Sequence, residues 1–215
     1  MKKLAIFDLD GTLIDSLPDI IDSLNTTMRK FSHREITYDD ARKFIGNGAR
    51  VLVEKSIGES IEEEELLKRL NFYNELYTSS GSPKTKVYLG MKEVLKTLKE
   101  RGYYIAVITN KPQMTTDNVI ENYFKDITFD AVIGQQKGME KKPNPSTTIS
   151  LINKFNVLKE NTVFIGDGET DYQTAVNANV KCISVLWGYR TREELIEAGA
   201  SVFVNEPSKL LSVLN

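Results

Sequence analysis

Residues 4–12, Leu4-Ala5-Ile6-Phe7-Asp8-Leu9-Asp10-Gly11-Thr12, hold a short apolar run that ends on two aspartates and a glycine. The run shows no polar alternation. That pattern suits a strand covered on both faces, and such strands belong to parallel sheets flanked by helices. Asp8 and Asp10 alternate along extended backbone, so both carboxylates can project to one side. Two carboxylates this close repel each other, and a hard divalent cation with oxygen ligands relieves the repulsion. Gly11 lets the chain turn tightly and present N–H groups to an anion.

Runs of the same kind recur at Tyr103–Ile108, Phe129–Ile133, Val163–Ile165, Cys182–Leu186 and Val202–Val204. Helical periodicity lies between them. Met91, Val94, Leu95 and Leu98 follow the i, i+3, i+4, i+7 spacing, with Gly102 at a C-terminal cap position. Val119, Ile120, Tyr123 and Phe124 form a second stripe, and Ile149, Ile152 and Phe155 a third. Strand–helix alternation from residue 87 onward predicts an α/β fold, a doubly wound, Rossmann-like parallel sheet. Residues 16–80 carry only helical faces: Ile20, Leu24, Met28 and Phe31; Ala49, Leu52, Val53 and Ile57; Leu66, Leu70, Tyr73 and Tyr77. The expected division is therefore an α/β core of residues 1–15 and 81–215 with an inserted all-helical segment, 16–80. The acidic run Glu62–Glu65 reads as a solvated helix start.

The composition narrows the function. Among 215 residues 40% are apolar and 27% charged, with a net charge of −2, so nothing draws the chain generally to nucleic acid or to an anionic membrane. No apolar run approaches the roughly 18 residues of a membrane span, and a cytoplasmic location is expected. One cysteine, Cys182, excludes an internal disulfide and reads as a buried strand thiol. His33, the single histidine, reads as a surface residue between helices.

The polar groups that follow each strand-like run matter most, because the carboxyl ends of strands in an open parallel sheet form its ligand crevice. Thr109-Asn110 follows the second run, and Gly166-Asp167 with Asp171 follows the fourth. Lys142 lies in Lys141-Lys142-Pro143-Asn144-Pro145-Ser146, where two prolines stiffen the loop as a positioned charge requires. Lys141 is the alternative inward-pointing lysine. Thr109 also fits a helix cap, and Asp167 and Asp171 fit caps of the helix that follows them.

Taken in order, Asp8-x-Asp10-Gly11-Thr12-Leu13, Thr109-Asn110, Lys142-Pro143 and Gly166-Asp167-x-x-x-Asp171 resemble the motifs of the haloacid dehalogenase superfamily of phosphatases, across the whole chain. The helical insertion resembles the cap of that family's first cap class. Phe44–Glu54, FIGNGARVLVE, is similar to the substrate-facing loop of its phosphoglycolate phosphatase branch, and the late segment VLWGYRTREEL also resembles that branch.

The resemblance implies roles. Asp8 is the nucleophile and Asp10 the general acid and base, with Thr109 and Lys142 on the phosphoryl oxygens. Gly11, Thr12 and Asn110 contact substrate. Mg²⁺ is held by Asp8, the Asp10 carbonyl and Asp167, supported by Asp171, and the cap closes over the site. Arg50 with Gly46 is a candidate for a substrate carboxylate or second phosphate, or Arg50 is an exposed helix residue. The expected partner is a small phosphorylated metabolite such as 2-phosphoglycolate, acted on by a monomer or homodimer. The alternatives are another small phosphate (pyrophosphate, a nucleotide monophosphate or a sugar phosphate), a phosphosugar mutase, and a non-catalytic binding protein. The presence of Asp10 argues against a dehalogenase.

Overall fold

The computed structural model describes residues 2–214. In chain order the elements are β1 (Lys3–Phe7), β2 (Ile14–Asp15), α1 (Leu17–Lys30), α2 (Tyr38–Phe44), α3 (Ala49–Ile57), α4 (Glu63–Ser79), β3 (Lys86–Val87), α5 (Met91–Glu100) and β4 (Tyr103–Pro112). Then come α6 (Gln113–Tyr123), β5 (Ala131–Gln135), α7 (Ser146–Phe155), β6 (Thr162–Gly166), α8 (Glu169–Ala178), β7 (Lys181–Val185), α9 (Arg192–Glu197), β8 (Phe203–Val204) and α10 (Leu210–Val213). The chain up to Ile14 and from Val87 onward forms one compact unit, and Asp15–Lys86 forms the other.

The first unit is built on a parallel six-stranded sheet ordered β5-β4-β1-β6-β7-β8. Numbered within the sheet this is 3-2-1-4-5-6, the doubly wound arrangement, and its topological switch lies between β1 and β6. Residues of β1 alternate between two hydrophobic layers. Ala5 and Phe7 pack with Met91, Val94, Leu95 and Leu98 of α5, whereas Leu4 and Ile6 pack with Leu151 and Ile152 of α7 and Ala175 of α8. A strand buried on both faces needs apolar residues at every position, which is why LAIF does not alternate.

Helix α5 buries the four residues predicted for it, and Gly102 follows its end with a positive φ of 79°. In α7 the buried face is Thr147, Thr148, Leu151 and Ile152 rather than the Ile149 stripe. Phe155 stacks on Tyr104 with ring centroids 4.5 Å apart, and Ile149 lies to one side, half-buried. Strand β4 runs on through Thr109, Asn110 and Lys111, which were expected to lie beyond it. Its pairing with β5 is irregular there. Ile108 pairs with Ile133 and Pro112 with Gln135, so four steps along β4 match two along β5. The extra residues bulge out of the ladder, and a bulge re-aims side chains.

The second unit holds α1 to α4. Its predicted faces are buried at Ile20, Leu24 and Met28, at Leu52 and Val53, and at Leu66, Tyr73 and Tyr77. Helix α2 has no stripe to find, since Ala41 is its one buried residue, but Thr37 and Asp40 form a capping box at its start. His33 is half-buried rather than fully at the surface. Its side chain is 11% exposed and its Nε2 accepts a 2.8 Å hydrogen bond from Arg69 Nε. Among the described residues no helix is long and apolar enough to cross a membrane.

Candidate active site

β1 and β6 deliver Asp8 and Asp167 to the switch point of the sheet, one residue past each strand. The Asp8 N–H donates to the Ile165 carbonyl at 2.9 Å, so the β1–β6 ladder continues into the site and fixes the nucleophile candidate's backbone. Oxygens of Asp8, Asp167 and Asp171 all lie within 4.8 Å of one another, and all three residues are buried. This group could hold a metal ion.

Lys142 is the cation among them. Its side chain is 2% exposed, with Nζ 2.6 Å from Asp171 Oδ1 and 2.8 Å from Asp8 Oδ1. Lys141 is exposed. Lys142 donates to Asp171 Oδ1, and its contact with Asp8 Oδ1 is a close ion pair. Asn110 holds the Lys142 backbone on both sides. Lys142 N donates to Asn110 Oδ1 at 2.8 Å, and Asn110 Nδ2 donates to the Lys142 carbonyl at 3.1 Å. These two bonds use one donor and one acceptor of the side chain expected to contact substrate.

Asp167 is held by both oxygens. Oδ1 accepts from Thr12 Oγ1 at 2.9 Å and Oδ2 from the Tyr189 N–H at 2.8 Å. Thr12 is thus turned toward a carboxylate. Asp171 accepts from the Gly168 N–H at 3.0 Å, so it caps α8 while it binds Lys142. Thr109 is buried, and its Oγ1 accepts from the Lys111 N–H at 3.2 Å. Trp187 packs on the core and donates from Nε1 to the Thr12 carbonyl at 3.0 Å, so it belongs both to the core and to the site's wall.

The charges are costly. Burial, the Asp171 charge and the Asp167 charge together outweigh Lys142 and push Asp8 up to about 8. Burial and Asp171 push Asp167 up to about 7 against the Tyr189 and Thr12 hydrogen bonds. Burial opposes the charge on Lys142, but Asp171 and Asp8 prevail and hold its ammonium above the ordinary range. Burial and like charge thus act in the same direction on both carboxylates. The Cys182 thiol is pushed up to about 12 by burial first and Asp171 second, in keeping with an unreactive strand thiol.

Two charged residues of the unit were not anticipated. Lys111 Nζ lies 2.9 and 3.2 Å from the two oxygens of Asp10. Arg190, buried, binds Glu169 through Nε at 2.7 Å and Nη2 at 3.1 Å. The signal for Lys111 was its adjacency to Thr109-Asn110, and that for Arg190 its place in the segment VLWGYRTREEL. Gly46 and Arg50 lie in the helical unit. Gly46 takes a φ of 111° between α2 and α3, and Arg50 donates to both oxygens of Glu63 at 2.7 Å and to Glu54 at 2.9 Å.

This sheet, with carboxylates gathered at its switch point around one buried lysine, defines a Rossmann-like hydrolase. The family model described as haloacid dehalogenase-like hydrolase matches residues 5–185, and the chain belongs to that family. It is 32% identical over 216 residues to "Phosphoglycolate phosphatase 1" of Pseudomonas aeruginosa, covering 98% of this chain and 79% of that one. It is 31% identical over 219 residues to the phosphoglycolate phosphatase of Aliivibrio fischeri, covering 99% and 96%. A crystal structure of a predicted phosphoglycolate phosphatase from Haemophilus somnus superposes with a TM-score of 0.91 at 27% identity, covering 99% of this chain and 98% of that one.

Proposed function

We propose that this chain is a Mg²⁺-dependent phosphomonoester hydrolase that works through a phosphoryl-Asp8 intermediate on 2-phosphoglycolate or a similar small phosphorylated acid. The observation that carries the reading is Asp8 itself: a buried carboxylate at the switch point, within 4.8 Å of oxygens of Asp167 and Asp171 and paired with the Lys142 ammonium at 2.8 Å. The curated relatives named phosphoglycolate phosphatase support the substrate class.

The residues fit the metal. A hard dication takes carboxylate and carbonyl oxygens, and here it would meet oxygens of Asp8, Asp167 and Asp171 that lie within 4.8 Å of one another. Asp8, Asp167 and the Asp10 carbonyl would hold it, with Asp171 in support. When bound, Mg²⁺ supplies positive charge that keeps Asp8 ionised and offsets charge on the phosphoryl oxygens.

In the first half-reaction an Asp8 oxygen attacks phosphorus in line and the ester P–O bond breaks. Its electron pair goes to the leaving alkoxide oxygen, which takes the proton of the Asp10 carboxyl. In the second half, water attacks phosphorus, gives its proton to Asp10, and the bond between phosphorus and Asp8 breaks to release inorganic phosphate. Lys142, held by Asn110 and Asp171, and Thr109 meet the charge that spreads over the equatorial oxygens.

The test is phosphate release from a panel of small esters with Mg²⁺ and with chelator, beside Asp8→Asn. Mg²⁺-dependent release that vanishes in the folded variant supports the reading, and preference within the panel identifies the substrate. A folded protein that releases no phosphate from any ester contradicts it.

A further inference from the structure

Lys111 has no part in the reaction as written, yet its side chain is 4% exposed and its ammonium spans both oxygens of Asp10 at 2.9 and 3.2 Å. Long side chains rarely bury a charge without a task, because the desolvation must be repaid. The backbone around it is fixed on several sides. The β4 bulge places it out of the regular ladder, its N–H is tied to Thr109 Oγ1, and its carbonyl accepts from Thr116 Oγ1 at 3.4 Å. On β5, Gly134 approaches so closely that a Cβ there would stand 2.8 Å from the Lys111 carbonyl oxygen. A bulge braced in this way aims one side chain, and that side chain ends on Asp10.

We infer that Lys111 is a positioning residue that holds the Asp10 side chain, through one oxygen while the other carries the proton, in the orientation from which the carboxyl protonates the leaving oxygen and afterwards, as carboxylate, takes the proton of the attacking water. The inference rests on the phosphatase reading and on the acid role given there to Asp10. It makes a demand that general damage to the site would not. A nitrophenolate leaves phosphorus without needing a proton, whereas an alkoxide does not. Loss of Lys111 must therefore fall on alkyl esters and spare the aryl ester.

The experiment measures kcat/KM, which reports on transfer to Asp8, for 2-phosphoglycolate, ethyl phosphate and p-nitrophenyl phosphate with Mg²⁺. The proteins are the wild type, Lys111→Met, Lys111→Arg, Gly134→Ala and Asp10→Asn, each checked for folding by circular dichroism. The expected result is a fall on the order of tenfold or more for both alkyl esters in Lys111→Met, smaller than the roughly 10²–10⁴-fold of a lost general acid because Asp10 stays present but misdirected. The fall for the aryl ester is small, Lys111→Arg recovers part of the loss, and Gly134→Ala shifts the alkyl-to-aryl ratio in the same direction with both charges intact. Equal losses on all three esters overturn the inference. A loss confined to 2-phosphoglycolate and expressed in KM also overturns it, and makes Lys111 a ligand of the substrate carboxylate. Asp10→Asn with an unchanged alkyl-to-aryl ratio, or a wild type inactive on every ester, counts against the underlying reading of the site instead.

Discussion

At the scale of single residues, the site is shaped by what is absent as much as by what is present. Gly188 carries no Cβ because one there would overlap the side chain of Asp167, which its neighbour Tyr189 binds through the backbone. Gly188→Ala therefore has to displace Asp167, and Mg²⁺ affinity read by calorimetry is expected to fall by about tenfold or more, the size of loss seen when the support of a metal ligand is disturbed. Unchanged affinity would mean that Asp167 is not a ligand. The residues that carry the site were legible where their chemistry is local: Asp8 and Asp10 at the end of an apolar run, and Asp167 at the end of another. The partners that hold them were not. That Asn110 would clasp the Lys142 backbone, or Lys111 the Asp10 carboxylate, depends on residues 32 and 101 positions apart in sequence, which no spacing rule reaches.

At the scale of elements, periodicity served where burial is one-sided and strong. The α5 stripe of Met91, Val94, Leu95 and Leu98 is fully enclosed against the sheet. Leu95→Ala is expected to cost about 2–5 kcal/mol of stability, measurable by urea denaturation, since it leaves a cavity in a packed layer. Helix α2 shows no stripe because it buries one residue, and in α7 the stripe holds at Ile152 and Phe155 but not at Ile149, because threonines supply part of the buried face. Short polar helices such as α2 and α9 declare themselves through caps. Thr191 illustrates this: its side chain accepts the Glu194 N–H while Glu194 returns a bond to the Thr191 N–H. Thr191→Ala is expected to lower stability by about 0.5–2 kcal/mol with kcat unchanged. The β4 bulge left no trace in hydropathy, because it is defined by pairing with β5.

At the scale of the whole molecule, the doubly wound sheet converts six separate runs into one crevice, and the cost of that convergence is three buried carboxylates around one lysine. The cost sets a pH dependence. Asp8 and Asp167 are raised, to about 8 and about 7, so the folded metal-free chain keeps protons that the unfolded chain has already released. Their stabilising contribution is complete below about pH 4 and is lost as pH rises through 7 to 8. The Tm of the metal-free protein is therefore expected to fall between about pH 5.5 and 8.5, and Mg²⁺ to raise it most at the upper end. A Tm that rises over that interval without metal would contradict the assignment of these two groups.

The central claim is that the phosphoryl group passes through Asp8. Rapid acid quench of the wild type with Mg²⁺ and 2-phosphoglycolate, followed by peptide mass analysis, tests it directly. The predicted result is a phosphoryl adduct on Asp8 that appears within one turnover, decays as substrate is exhausted, and is absent from Asp8→Asn. Turnover with no adduct on Asp8 at any quench time, or an adduct on another residue, would contradict the account.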